Sequence, residues 1–225
     1  FSSHKHLGLT LSDNLSWNCH INNILTSASK KIGQLKRLQF KVSRDTLLSL
    51  YKSMVRSSLE YADVVWGGCP DYLSDKLESV QYSAAKICTG AMRGTSREVI
   101  LNELGLPSLK SRRSLHRVTL LHKVLNGNFA PYLTTLLPDT LVQSGYNLRS
   151  EASLRLPVKS VITRRFANSF IHSSISIWNS LPIELLKSFP PSKLQSLNFT
   201  SFGHQKRLQS FFQQASDLHQ FYMLD

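Results

Sequence analysis

Ile21-Asn-Asn-Ile24-Leu25-Thr-Ser-Ala28-Ser-Lys30-Lys31-Ile32-Gly-Gln-Leu35-Lys36-Arg37-Leu38 is the stretch from which the fold is read. Its apolar residues return every three or four positions. That spacing places Ile21, Ile24, Leu25, Ala28, Ile32, Leu35 and Leu38 on one face of a long helix. Upstream the period changes to two: Leu7, Leu9 and Leu11 alternate with Gly8 and Thr10, as in a strand, and Ser12-Asp-Asn14 is a turn signal. Downstream, Ser43 before Arg44-Asp-Thr46 is a plausible N-cap for a second helix, expected to bury Leu47, Leu48, Tyr51, Met54, Val55 and Leu59. Gly67-Gly-Cys-Pro70 opposes further helix and should break it.

A third helix is expected from near Leu73 to Thr89, with Leu77, Val80, Ala84 and Ile87 inward and Gly90 at its end. Ser96 to Leu104 makes a short fourth, closed by Gly105-Leu-Pro107, and Leu109 to Leu125 a fifth, ended by Asn126-Gly127. Beyond that point Pro131, Pro138, Gly145 and Pro157 punctuate a stretch of weak periodicity. Helix resumes from Phe170 to Asn179 and stops at Leu181-Pro182. Pro190-Pro191 enforces another break, and Ser201 to Leu218 reads as an amphipathic helix. The fold class is therefore mainly α: a short β segment over 1–15, a helical domain over 16–128, and a less regular helical region over 129–225. The domain boundary is expected near Gly127 to Pro131.

The 225 residues are 41% hydrophobic, enough for a real core and too apolar for wholesale disorder. Three scattered cysteines, Cys19, Cys69 and Cys88, exclude a disulfide framework and offer zinc no Cys-x-x-Cys pair. No apolar run approaches about 18 residues, so no membrane span or membrane partner is expected. A start at Phe1 without Met or a signal-peptide pattern suggests a fragment. Asn14-Leu-Ser16 and Asn198-Phe-Thr200 then match the glycosylation triplet by chance. A reduced, intracellular setting in cytoplasm and nucleus fits.

Charge is the first positive clue. Lys and Arg number 27 against 14 Asp and Glu, a net +13, which makes a polyanion the default partner. From Thr26 to Leu59 eight basic residues face Asp45 alone; from Glu60 to Glu78 five acids face only Lys76. A second basic group follows at Lys110, Arg112, Arg113, Arg117 and Lys123. At 100° per residue Lys30, Arg37 and Lys41 fall within about 40° of one another, opposite the apolar face. Such a row can track phosphates without reading sequence. The candidate nucleic-acid contacts are thus Lys30, Arg37, Lys41, Arg44 (if the helix continues that far), Arg112, Arg113, Arg117 and Lys123. The plainer reading is solvated helix faces.

No complete active site is present in these residues. Tyr61-Ala-Asp63-Val64 invites comparison with the Tyr-x-Asp-Asp turn of reverse transcriptases, but the second Asp is Val64 and the residues before it have helical spacing. Two-metal catalysis needs clustered carboxylates, so Asp63 reads as a helix surface or helix end. His116 and His122 lie six apart, on different helix faces, and no glycine loop suited to phosphate precedes a Lys-Ser/Thr pair. Trp66 and Trp178 read as core anchors rather than base-stacking residues.

An ordered series of short motifs nevertheless resembles a known family. His6-Leu-Gly-Leu-Thr-Leu11, Leu15-Ser-Trp17 and His20-Ile21 are similar to the segment after the polymerase core in non-LTR (LINE, jockey-like) retrotransposon reverse transcriptases. Leu47-Leu-Ser-Leu-Tyr51-Lys-Ser-Met-Val-Arg56, Leu59-Glu-Tyr61, Val65-Trp-Gly67 and Leu77-Glu-Ser-Val-Gln81 continue the likeness. Arg112-Arg113, Lys123-Val-Leu-Asn-Gly127, Ser169-Phe170 and Ile177-Trp-Asn-Ser-Leu-Pro182 extend it over roughly four-fifths of the chain.

The resemblance implies a thumb-like helical bundle, with His6-Leu-Gly8 in the strand behind the primer grip at the end of the palm. A lone strand leaves its backbone groups unsatisfied, so pairing with the missing palm is expected. Leu59-Glu-Tyr61 then looks like a thumb-helix signature, with the catalytic Asp pair and its Mg²⁺ in the missing palm and fingers domain. The chain itself is expected to carry no cofactor and to be inactive alone as an RNA-directed DNA polymerase. Its implied partners are RNA–DNA or DNA duplex backbone, element RNA or target DNA, and the missing domain. The alternatives are a stand-alone basic nucleic-acid-binding protein derived from a transposable element, or a helical protein-interaction scaffold.

Overall fold

The computed structural model describes residues 3–92, 94–127, 129–137, 155–158, 160, 161 and 163–182. It is mainly helical, with a short two-stranded antiparallel sheet at the N-terminal end. The chain divides into two compact units, Phe1–Arg113 and Ser114–Asp225. The division falls inside one helix rather than at Gly127 to Pro131. The expected helix at Ser201 to Leu218, and the Pro190-Pro191 break before it, lie outside the described residues.

The β segment pairs with itself, which corrects the expectation of a lone strand needing another domain. Strands β1 (Ser3–His6) and β2 (Leu9–Ser12) run antiparallel, His6 opposite Leu9 and Ser3 opposite Ser12. Leu7 at φ +45° and Gly8 at φ +83° make the connection; a two-residue hairpin turn of this kind needs positive φ at both positions. Glycine takes that conformation freely, whereas leucine does so against a steric penalty. Tyr61 closes over the turn: its hydroxyl donates to the Leu7 carbonyl at 2.9 Å, and a Cβ on Gly8 would stand 3.1 Å from its ring. The other side of the hairpin rests on His20, whose Nδ1 accepts the Thr10 N–H at 3.3 Å.

Helix α1 (Asn18–Leu38) buries Ile21, Ala28 and Leu35, with Ile24, Leu25, Ile32 and Leu38 packed at the margin. Helix α2 (Arg44–Leu50) starts as expected at Ser43, whose side chain accepts the Thr46 N–H at 3.3 Å. Such a cap contributes about 1 kcal/mol. The helix then widens into a π-helical turn, Tyr51–Arg56, and ends as α3 (Ser57–Leu59).

That wide turn decides which residues go inside. Leu47, Tyr51, Val55 and Leu59 are all buried. A strict four-residue spacing drifts about 40° per step on a regular α-helix. The π turn absorbs the drift, so Leu48 is only half-buried and Met54, expected in the core, is exposed. The helical run also breaks earlier than Gly67-Gly68. Ala62 at φ +51° turns the chain after Glu60, and α4 (Asp63–Trp66) follows.

Helix α5 (Asp71–Thr89) buries Leu73, Leu77, Ala84 and Ile87, keeps Val80 half-buried against the core, and ends on Gly90 at φ +69°. Helix α6 (Arg97–Glu103) adds Ile100 and Leu101. Trp66, with none of its surface exposed, is the largest side chain of this core, and its indole N–H donates to the Tyr61 carbonyl at 2.9 Å.

Helix α7 (Leu109–Leu125) contains the division between the units. Its first residues belong to the first core, where Leu109 is buried. In the second unit Val118 and Leu121 share a smaller core with Leu156, Ile175, Trp178 and Leu181. That unit also holds a 3₁₀ turn over Pro131–Leu136, α8 (Arg164–Ala167) and α9 (Phe170–Ser180). Asn179 clips the extended chain at Leu156, its Nδ2 donating to the Leu156 carbonyl at 2.7 Å and its Oδ1 accepting the Leu156 N–H at 3.0 Å. The indole of Trp178 stacks on His122 with ring centroids 6.0 Å apart. Trp66 and Trp178 are thus both core residues.

Candidate nucleic-acid interface

Helix α1 carries exposed cations at Lys30, Lys36 and Arg37. The helix has no Asp or Glu, and its solvent side carries Asn22, Asn23, Thr26, Lys30, Gln34 and Arg37. Lys30 and Arg37 lie two turns apart on that side, about 10 Å along the axis, and both are exposed. Lys41 is exposed as well, but the helix ends at Leu38, so helical periodicity does not place it. It sits in the following turn, where its N–H donates to the Leu38 carbonyl at 2.9 Å. The face is therefore a helical pair with a third cation just beyond the helix end. Lys36, also exposed, stands in the last turn, where a cation favours the helix dipole.

Neighbouring cations have partners within the chain, Lys31 at the margin of the core and Arg44 at the surface. The Lys31 ammonium donates to the Met54 carbonyl at 2.9 Å and to the Ser58 hydroxyl. Arg44 does not extend the α1 row: Ser43 starts a new helix there, and the guanidinium pairs with Glu103 at 2.7 Å.

The second basic group is mostly internal. Arg112 makes a two-pronged pair with Glu60, Nη2 to Oε2 at 2.9 Å and Nε to Oε1, both side chains 13% exposed. That hydrogen bond, ahead of the opposing desolvation, raises the Arg112 pKa further. Arg56 reaches the same carboxylate at 3.9 Å, while burial and the nearby Arg112 lower its own pKa. Arg113 is 3% exposed, donates to the Ser74 hydroxyl and lies over the Trp66 ring at 5.8 Å. In the second unit Arg117 is 4% exposed and donates to Ser173 Oγ at 2.5 Å. Lys123 is half-buried. As phosphate contacts Arg112, Arg113 and Arg117 are corrected: they hold the interior together.

Their partners explain the acidic stretch. Glu60 binds Arg112, and Glu78 Oε1 accepts the Lys110 N–H at 2.7 Å, satisfying a free donor in the first turn of α7. Asp71 pairs with the Lys110 ammonium at 3.1 Å. Of the five acids between residues 60 and 78, Glu60 is thus paired with Arg112 inside the fold, Glu78 caps the start of α7, and Asp71 pairs with Lys110 at the surface.

Asp63 opens α4 and is buried, a helix end rather than an exposed ligand. Among the described residues no group of three His, Cys, Asp or Glu side chains could hold a metal ion. Burial pushes the Cys88 thiol up to about 11, which suits a core residue rather than a nucleophile. No described helix is long and apolar enough to cross a membrane. No protein family, curated protein or solved structure matches the chain.

Proposed function

We propose that this chain is the thumb-like and C-terminal part of a non-LTR retroelement RNA-directed DNA polymerase, and that it holds nucleic acid rather than carrying out the chemistry. The supporting observation is the solvent face of α1, where exposed Lys30 and Arg37, extended by Lys41, stand opposite the buried stripe with no acid on the helix. Two cations two turns apart on one side of a helix, with a third just beyond its end, fit a duplex backbone, whose phosphates supply affinity without sequence information. The resemblance of the ordered motifs from His6 to Pro182 supports the context of this proposal: template-primer duplex during reverse transcription, with element RNA or target DNA as further ligands. Catalytic Mg²⁺ would belong to the palm of that enzyme.

Binding of a fluorescent RNA–DNA hybrid tests the reading. At about 0.1 M salt each lost phosphate contact weakens binding roughly tenfold, so Lys30→Gln, Arg37→Gln and Lys41→Gln together should reduce affinity by two orders of magnitude or more, equally across unrelated sequences. A helical interaction scaffold whose charge serves only solubility would bind the hybrid weakly from the start, and the three substitutions would be silent.

A further inference from the structure

At the end of the α1 row stands a side chain that the core does not use. Phe40 is 94% exposed, the highest value for a large apolar residue among the described residues. It lies in the turn between α1 and α2, next to Lys41 and three residues beyond Arg37, with Lys36 also in the last turn of α1. No acid occurs from Lys30 to Arg44. Single exposed apolar residues are ordinary on protein surfaces. An almost fully exposed aromatic residue within four positions of three exposed cations is more specific, because it suits a ligand that offers negative charge and a flat apolar face together. Nucleotides do so. Within a duplex each base is covered by its neighbours, and only a terminal or unpaired base presents a free face.

We infer that Phe40 stacks on the first unpaired nucleobase where a duplex lying along α1 runs out into a single strand, with Arg37 and Lys41 on the flanking phosphates. The inference rests on the proposed nucleic-acid function and adds to it a preference for a duplex–single-strand junction. Stacking on an aromatic residue survives any change of base, since every base has such a face; its loss on alanine substitution weakens binding by roughly 5- to 150-fold.

Two probes test it on the full chain: a blunt RNA–DNA hybrid, and the same hybrid with a short single-stranded overhang whose first unpaired base is 2-aminopurine. The wild type should bind the overhang form at least fivefold more tightly and quench the 2-aminopurine. Phe40→Ala should abolish both the preference and the quenching; Phe40→Trp should keep them. The ring touches no core residue, so these variants should fold like the wild type, with unchanged circular dichroism. A wild-type preference that persists in Phe40→Ala, or a Phe40→Leu variant as selective as the wild type, overturns the stacking contact alone. Phe40-dependent sedimentation with phosphatidylserine vesicles, with no junction preference, overturns it in favour of a membrane surface. A wild type that binds neither hybrid removes the underlying function and this inference with it.

Discussion

Replacing Glu60 with Gln removes one negative charge and almost no volume, yet it should be among the most damaging single changes in the chain. Glu60 is the anion between Arg112, whose Nη2 donates to Oε2 at 2.9 Å, and Arg56 at 3.9 Å. The Glu60 and Arg112 side chains are each 13% exposed and that of Arg56 is 21% exposed. Without the carboxylate, two guanidinium groups face each other in a site where water replaces little of the lost interaction. Breaking a fully buried pair from one side costs about 3–5 kcal/mol, and an exposed pair about 0–1. At this exposure roughly 2–4 kcal/mol is expected. Urea unfolding followed by far-ultraviolet circular dichroism measures it. A double change, Glu60→Leu with Arg112→Met, should recover much of the loss, since an apolar pair of similar volume needs no counter-charge. A loss below about 0.5 kcal/mol for Glu60→Gln would mean that the network is a solvated surface pair, and would return Arg112 to the candidate phosphate contacts.

Burial lowers the pKa of His122 to about 4 and lowers that of His20 as well. The His122 ring stays neutral in the fold while the unfolded chain protonates near 6.5, so its contribution to stability is complete above that pH and declines as pH falls toward 4, and His20 adds to the decline in the same direction. For His122 the decline reaches at most about 3 kcal/mol, and His122→Gln should flatten it in melts between pH 7 and 4.5. Leu47→Ala should cost about 2–5 kcal/mol by emptying a core site, while Met54→Ala changes the unfolding midpoint little; equal effects would contradict the π turn that separates them. Gly33→Ala should stabilise the chain by about 0.5–1 kcal/mol, because a Cβ there meets nothing within 4 Å and a helix-interior glycine carries an entropic cost.

Long periodic stretches were readable because one physical rule dominates each. Helices α1, α5 and α7 follow a 3.6-residue apolar repeat over many turns, and their ends follow from Gly90, Gly127 and the Ser43 cap that opens the next helix. Local departures from regularity were not readable. Leu7 looks like a strand residue, and nothing in its side chain announces φ +45°; the turn depends on Tyr61, more than fifty positions away. Met54 fits an α-helical face, and only the wider turn removes it from the core. The basic group at residues 110–123 misleads for a related reason. A charge in a sequence does not say whether it meets water or a partner, and the partners Glu60 and Ser74 lie far upstream. The one available signal was the run of acids from Glu60 to Glu78 opposite the later run of cations. For the α1 face, spacing placed Lys30 and Arg37 correctly, but it carried Lys41 past a helix end that the same spacing could not locate.

The central claim is that Lys30, Arg37 and Lys41 neutralise phosphates, and salt dependence measures that most directly. Each phosphate contact on a B-form duplex steepens the fall of log K with log salt by about 0.9. Hybrid binding titrated from about 50 to 200 mM salt should therefore give the triple Gln variant a slope shallower than the wild type by about 2 to 3. Arg112→Gln, measured where it remains folded, should keep the wild-type slope. A triple variant with the wild-type slope would contradict the claim, whatever its affinity, because the released counterions would then come from another surface.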